Sequence, residues 1–146
     1  MLVMTNKGYK KEGETMRAFL AIKHHDDVRN RDFIEEITAQ FKKINIDIFV
    51  FVRDVEHYEP WVGTPRELMQ SAFAEIEKSD IVIAEISEQS IGVGIEVCYA
   101  FTRGIPVYVL AKKGTRVNST IKGICKDVLV YENLEDLQKF KFKGAT

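Results

Sequence analysis

Glu96 is the residue of this sequence whose surroundings most need a chemical explanation. It lies in "SIGVGIEVCYA" (90–100), behind Gly92 and Gly94, among the apolar neighbours Ile95, Val97 and Cys98. Carboxylates are seldom buried without a partner. An early helical turn favours the ionised form through the backbone dipole, while apolar neighbours raise the pKa. Such a balance suits a nucleophile or an acid–base group. A plain acid on a solvated helix stripe fits the spacing equally well. The two glycines either let a helix start pack closely or bare the backbone for a ligand. Ser90 is the expected N-cap in both cases. The glycines do not complete a dinucleotide fingerprint, because Val97 holds the third position and the segment follows a third strand, not a first.

Two more stretches carry chemistry. In "HHDD" (24–27), adjacent histidines on an extended loop point different ways, so a shared metal is not expected. A solvated loop, a helix cap by Asp26 or Asp27, and contact with a substrate are all open readings. The stretch 53–64 gathers Asp54, Glu56, His57, Tyr58, Glu59 and Trp61. Long loops in compact domains are usually functional or mobile. Its titratable groups could assist a leaving group, and Trp61 could stack on a flat ring or simply cover the core edge. The pattern selects none of them.

These residues need elements to position them. Residues 17–22, 46–52, 80–86, 106–110 and 127–131 read as five short, β-branched or aromatic strands. Helical spacing runs through 28–44, 65–78 and about 92–103, with a short turn in "VNSTIKGI" and a closing helix over 133–141. Thr64, Pro65 and Glu67 form a capping box with proline at the first helical position. Gly104 and Pro106 end the helix that carries Glu96. Strands alternating with helices give an α/β, flavodoxin-like three-layer sandwich. Its five-stranded parallel sheet has the order 2-1-3-4-5. Ligands of such sheets bind beyond the carboxyl ends of the strands, at the switch between strands one and three. That rule selects the loops 23–27, 53–64 and 87–94. A response-regulator site is rejected: strand three ends in Glu85-Ile86-Ser87 rather than an aspartate, and Tyr131-Glu132-Asn133 offers no lysine after strand five.

The 146 residues fit one domain with a real core, taken as 17–146, and residues 1–16 are set aside as a flexible segment. A net charge of −1 gives no electrostatic case for nucleic acid or an anionic membrane. No apolar run approaches a membrane span, and the start shows no signal-peptide core. Cys98 and Cys125 make no metal spacing or CxxC pair, so a reducing, cytoplasmic setting is expected.

"SDIVIAEISEQSIGVGIEVCYAFTRGIPVYVL" (79–110) resembles the core of the nucleoside 2-deoxyribosyltransferase superfamily, nearest to its 2'-deoxynucleoside 5'-monophosphate N-glycosidase branch. Asp80, Ser90, Gly92, Gly94, Glu96 and Ala100 carry the pattern, and the good match spans about 78–123. The resemblance implies that Glu96 is the nucleophile attacking C1' of the sugar, in the manner of a retaining glycosidase. It also implies substrate contacts at Phe19, Ile22, Lys23, His24, Ser90, Gly92 and Gly94. "RVNSTIKG" (116–123) resembles a segment whose serine reaches a neighbouring subunit's site. That serine is Ser119 when matched from the left and Asn118 from the right. A homodimer or higher homo-oligomer follows, with a nucleoside or nucleotide as ligand and neither metal nor other cofactor. Two positions depart from the pattern. Phe19 stands where the family has a tyrosine, and "AIKHHDD" replaces a phosphate loop. Ala72 stands where the family has an aspartate tied to base protonation. Either the 53–64 loop supplies the acid, through Asp54, Glu56 or His57, or the substrate differs, or the fold is a nucleotide-binding module that has lost turnover.

Overall fold

The computed structural model describes residues 1–143, so the last three positions of the expected 17–146 domain lie outside the described residues. Five strands form one parallel sheet: β3 (Met16–Ala21), β4 (Ile46–Phe49), β5 (Ile81–Glu85), β6 (Val107–Lys112) and β7 (Asp127–Tyr131). Their spatial order is β4-β3-β5-β6-β7. Counting only these five, this is the 2-1-3-4-5 order of the flavodoxin-like fold.

Alternation along the strands builds two cores, one on each face. Ala18, Leu20, Ile81, Ile83, Tyr108 and Leu110 pack against Ile34, Ile37 and Phe41 of α1 (Arg31–Lys42). Phe19, Ala21, Val82, Ala84 and Val107 face the opposite way. They meet Ile76 of α3 (Pro65–Lys78) and Val93, Val97 and Ala100 of α4 (Ile91–Thr102). Helix α3 starts at the expected capping box: Glu67 N–H donates to Thr64 Oγ1 and Thr64 N–H to Glu67 Oε2, both at 3.1 Å.

Several boundaries differ from the sequence expectation. The strand read as 46–52 stops at Phe49, and the chain turns into α2 (Phe51–Asp54). Asp54 causes this locally: its Oδ2 accepts the Val50 N–H at 2.9 Å, at the start of the turn. The helix read as 28–44 begins only at Arg31, because Val28 adopts a left-handed φ of 48°. Neither Asp26 nor Asp27 caps it. Asn30 holds the cap position, and Asp27 instead pairs with Arg29 at 3.0 Å. The closing segment is a 3-10 helix over Leu134–Lys139. The turn in 116–123 is the short α5 (Ser119–Lys122).

Residues 1–16, set aside on sequence as a flexible segment, need correction. They hold an antiparallel hairpin of β1 (Leu2–Thr5) and β2 (Gly8–Lys11). Val3 is fully buried and joins the α1-side core. The buried Asp80 anchors the hairpin: its carbonyl accepts Asn6 N–H at 2.8 Å and its Oδ2 accepts Lys10 Nζ at 2.9 Å. The same Oδ2 takes the Arg17 N–H at 2.9 Å. Among the described residues, no helix is long and apolar enough to cross a membrane.

Candidate functional site

Strand β3 lies between β4 and β5, and the helix that follows β3 (α1) packs on one face of the sheet while the helix that follows β5 (α4) packs on the other. The loops after β3, β4 and β5 therefore splay apart at their carboxyl ends. A cavity of about 410 Å³ opens there, within the roughly 300–1,000 Å³ of small-molecule sites. The β3 loop contributes Ile22, Lys23, His24, His25, Asp26 and Asn30. Glu56, Pro60 and Trp61 come from the segment after α2, Leu68, Met69 and Ala72 from α3, and Ser90, Gly92, Val93 and Glu96 from the start of α4.

Ser90 is the N-cap of α4, its Oγ accepting the Val93 N–H at 3.3 Å. Val93, Val97 and Ala100 turn into the core, which rotates Glu96 to the edge of that face and into the cavity. Glu96 is half-buried, and among the described residues its carboxylate has no hydrogen-bond or ion-pair partner. Burial alone pushes its pKa up from 4.5 to about 8. Gly92 lies one turn below it and lines the same cavity. A Cβ at Gly92 would meet only Ser90 Oγ, at 3.7 Å, and one at Gly94 would meet nothing within 4 Å. Close packing therefore does not select these glycines. What Gly92 leaves is bare backbone beside the carboxylate.

The segment after α2 is held firmly. His57 and Tyr58 are both left-handed, at φ 53° and 59°. Tyr58 N–H donates to Val52 O at 2.7 Å, and its hydroxyl donates to Glu35 at 2.7 Å. Arg31 covers the Tyr58 ring at 4.5 Å. Two consecutive left-handed non-glycine residues are costly and persist only where the surroundings fix them. This turn delivers Glu56 to the cavity. Burial raises the Glu56 pKa, and His24 partly opposes that shift. Trp61 is set by Phe51 beneath it, 5.9 Å between ring centroids, and by donation from Nε1 to Thr64 O at 3.1 Å.

The other residues singled out on sequence fall differently. Asp54 is occupied by Val50 N–H and by Arg53 at 3.0 Å, and does not line the cavity. His57 is exposed and also stays outside it. Phe19 is fully buried against Phe49, 5.8 Å between centroids, so the expected substrate contact there is not made in this cavity. Its side chain belongs to the α3–α4 core, one residue out of phase with Leu20, which does reach the cavity. Gly94 faces a neighbouring cleft of about 740 Å³ that meets the first at Ser90 and Val93. Arg116, Asn118 and Thr120 line that cleft, whereas Ser119 is exposed on α5 and does not. His24 and His25 turn to different carboxylates, Asp26 at 3.3 Å and Glu88 at 3.1 Å.

Sequence reasoning missed one residue of the site and one brace of the strand ends outside its lining. Asn30 lines the cavity and donates from Nδ2 to Lys23 O at 3.0 Å, shaping the β3 loop. Glu85, buried at the end of β5, accepts the Tyr131 hydroxyl and the Ser87 N–H and hydroxyl. Ser87 Oγ in turn accepts Lys112 N–H at 2.9 Å, so one carboxylate braces the ends of β5, β6 and β7. A lone acid ending an apolar strand is the signal that could have found it.

No family model matches the chain. It is 40% identical over 63 residues to a Thermofilum pendens protein that carries the name 2'-deoxynucleoside 5'-phosphate N-hydrolase 1, covering 42% of this chain and 44% of that one. A Methanosarcina mazei protein of the same name is 33% identical over 78 residues, covering 53% and 48%. The chain thus spans about half the length of the curated relatives it matches. Among solved structures, it is similar to the 2-deoxyribosyltransferase of Bacillus psychrosaccharolyticus, with TM-score 0.64, 17% identity, and coverage of 86% of this chain and 93% of that one. The Clostridium botulinum CMP N-glycosidase BcmB gives TM-score 0.63 and 19% identity, covering 84% and 95%. The structural likenesses establish the shared fold. Together with the relatives, they match the superfamily that residues 78–123 resemble.

Proposed function

We propose that this crevice cleaves or exchanges the N-glycosidic bond of a (deoxy)nucleoside or nucleoside 5'-monophosphate, through a covalent glycosyl–Glu96. The observation that carries the reading is Glu96 itself: an unpartnered, half-buried carboxylate opening into a nucleoside-sized cavity at the switch point, beside the bare backbone of Gly92. The names of the relatives support it.

In this reading Glu96, as carboxylate, forms a bond to C1' while the C1'–N bond breaks. The bonding pair leaves on the base nitrogen, which needs a proton. Glu56 is the acid best placed to give it, because it lines the same cavity and its burial favours the protonated form. Water then attacks C1', its proton goes to the Glu56 carboxylate, and Glu96 is released. A second base in place of water completes an exchange. Trp61 offers its ring to the base, and Ser90 and Gly92 line the sugar end. No metal or organic cofactor takes part.

The reading includes a reducing, cytoplasmic setting and a homo-oligomer. The oligomer is supported by the outer side of α4, where Ile91 is 85% exposed and Ile95 46%. A second copy covering that side would bring Ser119 or Asn118 of one chain toward the other's cleft. A single monomeric species in sedimentation would remove that role.

A nucleoside and nucleotide panel, with and without an acceptor base, tests the chemistry. Free base should appear, and Glu96→Ala should abolish its release while leaving the melting transition in place. Unchanged release from Glu96→Ala overturns the assignment. Saturable binding in calorimetry without release would leave a binding module instead.

A further inference from the structure

The loops after β3 and β5 meet through one side chain. Glu88 belongs to the neighbouring cleft, yet it reaches across to two residues of the candidate cavity. Its Oε1 lies 3.1 Å from His25 Nε2, and its Oε2 lies 3.9 Å from Lys23 Nζ. The third basic side chain of the cavity, His24, faces Asp26 at 3.3 Å. Among the described residues no arginine lines this cavity, so every basic group in it already faces a carboxylate. Of the neutral side chains, Asn30 Nδ2 donates to Lys23 O, while Ser90 Oγ accepts the Val93 N–H and keeps its own O–H to donate. Two further carboxyl groups, Glu56 and Glu96, line the wall. The His25 side chain is only 9% exposed and Glu88 is 55% exposed, so the imidazole is fixed and Glu88 stands at the solvent side of it.

From this arrangement, and resting on the function proposed above, we infer that Glu88 selects the substrate class by holding Lys23 and His25, turning the site against a 5'-phosphate and toward uncharged nucleosides. A phosphate dianion binds well where charged donors are free to face it. Here it would have to displace Glu88 and then lie beside the displaced carboxylate. An uncharged 5'-hydroxyl meets no such repulsion. The Glu88 bridge thus gives this chain a preference opposite to the one in the names of its relatives.

The test compares a deoxynucleoside with its own 5'-monophosphate, by turnover and by calorimetry, in the unaltered protein and in Glu88→Gln. The unaltered protein should favour the nucleoside in both kcat/KM and Kd. Glu88→Gln should move the ratio toward the monophosphate by about tenfold or more, mainly through KM for the monophosphate. Inorganic phosphate should compete with the nucleoside in Glu88→Gln and not in the unaltered protein. A preference for the monophosphate in the unaltered protein, or an unmoved ratio in Glu88→Gln, overturns the inference while cleavage at Glu96 stands. The expected binding ratios without any base release would do the reverse. An absence of both binding and release would remove both readings. Glu88 is largely in solvent, so Glu88→Gln should melt with the unaltered protein, and a melting curve checks this.

Discussion

Lys10 Nζ lies 2.9 Å from Asp80 Oδ2, and this pair joins the N-terminal hairpin to the start of β5. Asp80 is 1% exposed, and its Oδ2 also receives the Arg17 N–H. Removing one partner of a buried, hydrogen-bonded charge leaves the others uncompensated. Asp80→Ala should therefore destabilise the fold by about 1–3 kcal/mol. Thermal melting should show a lower Tm. Base release measured well below that Tm should be unaltered, since Asp80 lies at the amino end of its strand.

The pKa of Glu96 has consequences of opposite sign for stability and for chemistry. Its folded-state value, about 8, lies above the ordinary 4.5 because burial disfavours the anion. A raised carboxyl pKa means that the stabilising contribution is fully present below 4.5 and is lost as the pH rises through about 8. The nucleophile, however, must be the carboxylate. Glu56 must meanwhile keep its proton for the departing base, so the proposed base release should fall off at low pH as Glu96 is protonated and at high pH as Glu56 ionises, while Tm falls as the pH rises through about 8. Glu96→Gln should flatten that part of the Tm profile. A Tm profile identical in Glu96→Gln and the unaltered protein would show that Glu96 does not titrate there.

Glu56 is expected to protonate the departing base, so its loss should matter most for poor leaving groups. Glu56→Gln should lower kcat by about 10²–10⁴-fold on an ordinary base. The loss should shrink on a substrate whose base leaves without a proton. Equal losses on both substrates would assign Glu56 a structural role only.

Gly63 guards the geometry of the cap and of Trp61 together. Its φ is +142°, and a Cβ there would lie 2.7 Å from Glu67 Oε2 and 3.1 Å from Trp61 Nε1. Gly63→Ala should break the capping box, costing about 0.5–2 kcal/mol, and displace Trp61. The chain has a single tryptophan, so its emission reports this displacement directly. An unshifted spectrum would place the strain elsewhere.

Most of the sheet was legible from sequence because its strands are apolar runs between plain stop signals. The capping box at Thr64 marked α3 to the residue, and Ser90 marked the start of α4. The hairpin was not legible, because "NKGYKKEGE" is polar and its docking depends on Asp80, far away in the chain. Phe19 was placed in the site by likeness of position, but strand alternation sends it to the opposite core from Leu20. Within 53–64 the sequence could not separate Asp54 from Glu56. The hydrogen bond from Val50 N–H occupies the first, and the left-handed pair at His57 and Tyr58 delivers the second. Such choices are made by three-dimensional neighbours rather than by spacing.

The hairpin has a practical use that follows from which end of the sheet it occupies. Its turn, at Asn6 and Lys7, docks where β5 begins, whereas the crevice opens where β5 finishes. Lys7 is exposed. A linker placed there would tether the molecule to a sensor surface with its crevice facing the flowing solution, so ligand titrations on immobilised protein should match those in solution.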